Sequence, residues 1–488
     1  MNKTAIKTLT VIFMFVAAAL SLHFFNISLI QSGSLSRNAA VQRASSQDIK
    51  KWRGCIYDSN MIPLTDRRLG ETTAVTGETV AVFGRYDENS VASHLLGYTL
   101  SDDSGASGIE KTFDSILQSD THHSIQYISD AAGNPIDKIY SQQNTSFVPQ
   151  NNIKLTLDYK IQKIADDAAD KMLSNGAIVI MDCTTFDIKA MVSRPEFDPN
   201  NVAESMNEQN SPLLNKTLSP YNAGSIFKII TSAAAIEGGT VPTSTVYCSG
   251  KEMIDGKEFS CHKADGHKET DFKAAFANSC NSYFYQLARQ CGGNAIISMA
   301  QRFGLGAPLC AATLDDNYGI LPIRDEYSPR ECANIAIGQG EILITPLQAA
   351  YMTAIIANNG IAKAVNIADS IVDDRGNEVR SLRQSGEKVV ISKSTAIQIG
   401  DMMRECVTNG TAHNIQNGIV AVAGKTGTAE TGWINNGVPM VHGWFCGYFP
   451  YENPQYAMAV FCENGQSGSA ACIPIFREIA LEIDKLYN

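Results

Sequence analysis

Apolar and polar positions divide the chain into three stretches of different texture. Residues 8–30 are an apolar segment, unbroken from 11 to 20 and diluted afterwards by Ser21, His23, Asn26 and Ser28. Its length matches the roughly 20 residues needed to span a bilayer. Lys3 and Lys7 stand in front of it, which predicts a retained anchor with residues 1–7 in the cytoplasm and the remainder outside. A cleaved signal peptide is the alternative. However, only a weak small-residue site, at 32–34, follows the unbroken core. Residues 31–51 are polar and Ser/Ala-rich, as a juxtamembrane helix or stalk would be. From 52 to 150, short β-like runs (79–86, 125–127) and short helical runs (92–97, 108–117) alternate with Asp/Gly/Ser turns. That mixture predicts an extended, smaller domain over 31–150.

The texture changes at 151. Residues 155–173 start like a strand and continue with Ile161, Ile164, Ala168 and Met172 at helical spacing, behind Asp158 as N-cap. GAIVIMD (176–182) reads as a buried strand and IKAMVS (188–193) as its hairpin partner. Residues 224–239 are apolar almost all round, which predicts a helix inside a large domain. Residues 343–358 read as a second buried helix, opened by Thr345-Pro346, and 392–407 as an amphipathic one. Strand-like runs at 420–423, 443–448 and 456–463 precede a closing helix at 473–486. This order fits an α/β fold of the α+β type. A helix cluster is inserted between two halves of an antiparallel sheet, in a domain spanning 151–488.

Charge and cysteine content narrow the classes. A net charge of -11 and the lack of any Lys/Arg-rich run predict no nucleic-acid surface. Twelve cysteines in an exported chain would ordinarily suggest disulfides, but their scattered spacing makes no small framework. Cys248 and Cys261 flank a hairpin with its turn at Asp255-Gly256 and are placed to pair across strands. With His262 and His267 nearby a metal site is conceivable, but the spacing fits no standard zinc module and the reading assigns no metal. Unpaired thiols, as in an organism living without oxygen, are the other alternative.

The candidate chemistry starts in GSIFK. Ser225 and Lys228 are three residues apart, so they stack on one face of the first helical turn. Burial and the helix dipole both disfavour a charged ammonium there, and a neutral amine can take the serine proton. The bland alternative is a capping serine and a snorkelling lysine. Downstream lie Ser279-Cys280-Asn281 and Lys425-Thr426-Gly427-Thr428. A hydroxyl and an amide two apart can face one cleft. A strand carrying lysine and threonine can hold a carboxylate, and Gly427 would leave room for a substrate backbone. GKTGT lacks the spaced first glycine of a phosphate loop, which argues against an NTPase.

SxxK, SxN and KTG in this order resemble the penicillin-recognising serine acyltransferases. RGCIYDSN (53–60) is similar to the RGxIxDRN element of class B penicillin-binding proteins, with Ser59 in place of the usual arginine. GASGIEKTFDSIL (105–117) is similar to the GxxGiE element of that class. RPEFDPN (194–200), GQG (338–340), TPLQAA (345–350) and HGWFCGYFP (442–450) look like landmarks of the transpeptidase domain. The short length and lack of a C-terminal extension most resemble the small PbpA-type enzymes of Gram-positive bacteria. Asn222-Ala223-Gly224 departs from the family's usual proline before the glycine, and Ile226 sits where a small hydroxyl residue is common.

The resemblance implies a peptidoglycan D,D-transpeptidase with Ser225 as nucleophile, Lys228 as base, Ser279 as proton relay and Asn281 as orienting amide. Lys425, Thr426 and Thr428 would bind the terminal carboxylate, with the N–H groups of Ser225 and Thr428 as oxyanion hole. It implies no cofactor. The implied partners are stem peptides on lipid-linked nascent glycan, β-lactams, the membrane and a SEDS-family glycosyltransferase. A non-catalytic scaffold in a SEDS-containing division or elongation complex is the competing class. A D,D-carboxypeptidase would use the same residues with water as acceptor. A β-lactamase lacks support, since Glu341-Ile342-Leu343-Ile344-Thr345 departs from the class A ExxLN element.

Overall fold

The structure is a computed structural model that describes residues 3–35, 44–65, 67–73, 79–86, 90–128, 142–145, 151–310, 313–416, 420–435, 438–465 and 467–487. Contacts divide the chain into two compact units.

The first unit comprises Met1–Arg53, Arg68–Gly84 and Ser119–Pro149. It begins with helix α1 (Lys3–Phe25), which a five-residue π-helical turn, Asn26–Ile30, continues. The described residues contain one helix long and apolar enough to cross a membrane, Lys3–Ile30, and none of it is buried inside the protein. Thr8, Thr10 and Ser21 return their hydroxyls to carbonyls four residues back, so these polar side chains stay satisfied on an apolar rod. Residues expected as a stalk or helix turn out to be extended: Ala44–Arg53 is a strand beside Gln118–Ile128, which also pairs with Gln142–Thr145. Its partner lies some seventy positions along the chain, beyond the reach of local periodicity.

The second unit comprises Gly54–Arg67, Arg85–Gln118 and Gln150–Asn488. The RGxIxD-like segment from Gly54 onward and the GxxGiE-like segment belong to it and meet there. Arg85 Nη1 donates to Gly54 O at 2.8 Å and its Nε to Glu110 Oε1 at 2.6 Å, and Tyr86 donates to the same carboxylate oxygen at 3.1 Å. Asp58 is fully buried and accepts from the N–H groups of Asn60, Ile62 and Tyr159. It thereby fixes the start of α2 (Tyr159–Met172), whose N-cap is Asp158 as the sequence predicts.

The centre of this unit is a five-stranded antiparallel sheet. Its strands are β1 (Gly176–Asp182) and β2 (Ile188–Arg194), then β7 (Ala423–Asn435), β8 (Val438–Phe449) and β9 (Tyr456–Gly465). They lie side by side in the order β7-β8-β9-β1-β2. Side chains alternate between two apolar layers. Ala177, Val179 and Met181 of β1 join one, and Ile178 and Ile180 the other. Helices cover both faces, so β1 reads as an uninterrupted apolar run although the sheet is antiparallel. The second layer contains α2 and α10 (Gly468–Tyr487).

Between β2 and β7 the chain builds the helical part: α3 (Lys228–Glu237), α4 (Phe272–Ala277), α5 (Asn281–Cys291), α6 (Gly293–Arg302), α7 (Pro329–Ala336), α8 (Pro346–Ala357) and α9 (Lys393–Thr408). Thr345 and Gln348 form a capping box on α8 with Pro346 at its first position, the stop-start signal read in the sequence. Four short strands lie between α3 and α4: β3 (Val246–Cys248) pairs with β6 (Lys268–Thr270), and β4 (Lys251–Ile254) pairs with β5 (Lys257–Ser260) across the expected Asp255-Gly256 turn.

Candidate active site

Ser225 does not sit on the first turn of an α-helix. Gly224–Phe227 is a 3-10 turn, and α3 begins at Lys228. In a 3-10 turn residues i and i+3 eclipse, so the turn directs Ser225 and Lys228 to the same side. Tertiary packing accounts for the difference. Gly224 has φ of +56°, its N–H donates to Gly338 O at 2.9 Å, and a Cβ on it would meet Thr428 O at 2.7 Å. A Cβ on Gly338 would meet Gly224 O at 2.4 Å. The turn is thus clamped between β7 and the GQG segment. Trp444 Nε1 donates to Asn222 O at 2.9 Å and anchors its approach.

Ser279 occupies the corner between α4 and α5 with φ of +54°, a left-handed conformation that costs a non-glycine residue about 1–3 kcal/mol. The corner brings its hydroxyl and the Asn281 amide to the same point. Lys228 Nζ donates to Ser279 O at 2.8 Å, Ser279 Oγ at 3.0 Å and Asn281 Oδ1 at 2.7 Å. Its amine also lies 5.2 Å from the centre of the Phe284 ring. Lys425, on β7, donates to Thr426 O at 3.0 Å and lies 5.7 Å from the Phe276 ring centre.

A cleft of about 760 Å³ opens here, and Ser225, Ser279, Asn281, Thr426 and Thr428 line it. Lys228 and Lys425 stand behind that lining, both with no exposed surface. Neither has a carboxylate partner among the described residues. Burial, then the Lys425 charge, push the Lys228 amine well below the ordinary lysine range, against an opposing pull from the Cys280 and Cys261 thiols. Burial also lowers Lys425, which the Cys406 and Cys446 thiols oppose.

The fold thus gathers the eight residues singled out in the sequence, with one change of reason. A Cβ on Gly427 would meet Ile226 Cγ2 and Trp444 Cβ at 3.0 Å. Position 427 is glycine because the 224–227 turn packs onto it, so the room it leaves is filled by the protein itself. Sequence reasoning missed Thr411, whose hydroxyl lies 2.6 Å from that of Thr426 across the cleft wall, since a lone threonine after a helix carries no signal. It also missed the rings of Phe284 and Phe276, which lie against Lys228 and Lys425.

An antiparallel sheet clothed by helices, with a serine, two buried lysines and an SxN corner converging on one cleft, is the arrangement of a serine acyltransferase. Residues 176–481 match the penicillin-binding protein transpeptidase domain. The chain belongs to that family. It is 30% identical over 414 residues to stage V sporulation protein D of Bacillus subtilis, covering 81% of this chain and 62% of that protein. It is 31% identical over 360 residues to the peptidoglycan D,D-transpeptidase PbpA of Mycolicibacterium smegmatis, covering 67% of this chain and 71% of that one. The crystal structure of the D,D-transpeptidase domain of a peptidoglycan glycosyltransferase from Eggerthella lenta superposes with a TM-score of 0.73 at 26% identity. That match covers 89% of this chain and 99% of the other. The similarity to class B penicillin-binding proteins read from the motifs is therefore met by both sequence and fold.

Proposed function

We propose that this protein is a membrane-anchored peptidoglycan D,D-transpeptidase that works through an acyl-enzyme on Ser225. The observation that carries the proposal is the state of Lys228: fully buried, held by three neutral acceptors and beside a second buried cation. Burial and the neighbouring cation both weaken the ammonium form of Lys228, as a base for the Ser225 proton requires.

In the proposed reaction Lys228 takes the Ser225 proton as Oγ attacks the carbonyl between the two terminal D-alanines of a stem peptide. Charge that develops on the carbonyl oxygen would be met by the N–H groups of Ser225, on the 224–227 turn, and Thr428, on β7. The proton passes through Ser279, within 3.0 Å of Lys228 Nζ, to the leaving D-alanine. Asn281 orients Lys228 and the peptide. Lys425, through its field, and the Thr426 and Thr428 hydroxyls bind the terminal carboxylate. An amine of a neighbouring stem then takes the acyl group, which forms the crosslink and frees Ser225. β-Lactams, as mimics of the D-Ala-D-Ala end, stop at the acyl stage.

The Lys3–Ile30 helix supports a single-pass anchor, and Lys3 and Lys7 support a cytoplasmic N-terminus with the catalytic domain outside. A SEDS-family glycosyltransferase is the proposed membrane partner, on the resemblance of the 53–60 and 105–117 elements to class B proteins. Labelling with a fluorescent penicillin tests the reaction. Wild type acquires a covalent adduct that mass spectrometry maps to Ser225, and Ser225→Ala acquires none. An unlabelled wild type would favour the scaffold reading instead, and an adduct on another residue would overturn the assignment of the nucleophile.

A further inference from the structure

The KTGT segment meets the cleft through two hydroxyls. Lys425 has no exposed surface and gives its hydrogen bond to Thr426 O, whereas Thr426 and Thr428 line the cavity. A hydroxyl carries one hydrogen and two lone pairs, so a neighbour that donates to its oxygen leaves the hydrogen free to point elsewhere. For Thr428 that sense is fixed. The Gly468 N–H, at the start of α10, reaches Thr428 Oγ1 at 3.3 Å, and an N–H can do nothing but donate. For Thr426 the partner is itself a hydroxyl. Thr411 Oγ1 lies 2.6 Å from Thr426 Oγ1, and either atom can be the donor. A bond running from Thr426 to Thr411 would commit the Thr426 hydrogen and leave lone pairs to face an incoming carboxylate.

Thr411 is held where it can set that sense. It follows α9, and its N–H donates at 3.1 Å to Ala277 O, at the end of α4 and two residues before Ser279. A Cβ on Gly410 would meet the same carbonyl at 2.3 Å, so the backbone here is pressed against α4. The neighbours of the Thr411 hydroxyl are Thr426 Oγ1 at 2.6 Å, Cys406 Sγ at 3.3 Å and Ala277 O at 3.4 Å. The Ala277 carbonyl is at the far end of hydrogen-bond range and already takes the Thr411 N–H, so Thr426 is the better acceptor. The Cys406 thiol, fully buried on α9, can supply a hydrogen to Thr411 from behind.

On the transpeptidase reading, we propose that Thr411 is a positioning residue for the donor carboxylate: it donates to Thr426 Oγ1 and so turns the Thr426 O–H into the cleft, toward the terminal carboxylate of a stem peptide or β-lactam. Hydrogens then run in one sense, from Cys406 to Thr411 to Thr426 to the anion, and a chain polarised in one sense strengthens each bond in it. Both hydroxyls of KTGT are thereby backed by a donor and present a hydrogen. An ester in place of the carboxylate takes a weaker bond from them, because an ionised acceptor holds a donor more strongly than a neutral one.

The test compares second-order acylation rate constants for benzylpenicillin and its methyl ester on full-length protein in detergent, with adducts mapped to Ser225 by mass spectrometry. Wild type is expected to prefer the free acid. Thr411→Val keeps the shape and removes the hydroxyl; its rate with the acid is expected to fall about fivefold to tenfold and its rate with the ester by less than about twofold. Thr411→Ser is expected to restore the acid rate. A merely structural role would slow both compounds alike. If Thr426 instead donates to Thr411, Thr411→Val frees the Thr426 hydrogen and the preference for the acid rises. An acid-to-ester ratio that is unchanged or raised in Thr411→Val would therefore overturn the proposal. Thr411→Ala carries the same expectation should the valine variant fail to fold. Wild type acylated at Ser225 by both compounds without preference would overturn this role and leave the transpeptidase reading standing; wild type acylated by neither would overturn both.

Discussion

Arg85 and Lys228 are both basic side chains withdrawn from water, and their surroundings are opposite. Arg85 faces the fully buried Glu110 at 2.6 Å, with Tyr86 and Gly54 among the neighbours that join them. Lys228 faces two neutral oxygens of Ser279, the amide of Asn281 and the charge of Lys425. The first arrangement neutralises a charge and joins two segments. The second makes a charge hard to keep, which is useful where a proton must be taken. Burial alone does not distinguish a structural cation from a reactive one; the sign of its neighbour does.

Breaking the reactive side gives the largest expected effect. Lys228→Met removes the base, and the acylation rate of fluorescent penicillin should fall about 10²–10⁴-fold. A fall under tenfold would remove Lys228 from that role. On the structural side, Glu110→Gln removes the fully buried carboxylate that faces Arg85 and should cost about 3–5 kcal/mol in denaturant unfolding. If acylation fell while stability held, the contrast between the two regions would be lost.

A mixed case sharpens the comparison. Asp166 is 3.0 Å from Arg194, yet burial outweighs that attraction and pushes its carboxyl up to about 6. A raised carboxyl contributes stability that is full below about 4, the unfolded value, and is lost as pH rises through about 6. At 1.36 kcal/mol per unit the loss is about 3 kcal/mol at most. Asp166→Asn should flatten the stability profile between pH 4 and 6; an unchanged slope would mean Arg194 prevails.

The smallest effect is the most diagnostic. The rate of acylation should rise with pH as Lys228 loses its proton, well below the ordinary lysine range. Lys425→Met removes the like charge, so the ammonium becomes easier to keep and that limb should move to higher pH. The Cys280 and Cys261 thiols act in the same direction as the mutation. A limb that does not move would show burial acting alone.

Much of the site was legible because its residues are local in sequence. Ser225 and Lys228 are one turn apart, Ser279 and Asn281 two residues apart, and Lys425 to Thr428 contiguous. The caps at Asp158 and Thr345 were legible for the same reason: a side chain meeting a backbone N–H two or three residues on is a short-range event. The strand at Ala44–Arg53 was not, because its pairing with Gln118–Ile128 is non-local. The role of Gly427 was misread because the atoms that exclude a Cβ belong to Ile226 and Trp444, elsewhere in the chain. The meeting of Cys248, Cys261, His267 and Cys280 was not legible either, because it depends on how β3, β5, β6 and the SxN corner fold together.

By itself, then, the sequence determined the apolar N-terminal rod, the alternation that builds a helix-covered sheet, and the three short motifs that carry the reactive groups. Each is set by periodicity or by contacts a few residues apart. Only the tertiary structure decided that Lys228 and Lys425 share one dry wall, that the nucleophile turn tightens to 3-10 and that three distant cysteines meet a histidine. Desolvation, close packing and the convergence of distant side chains belong to atoms brought together through space, and no local pattern encodes them.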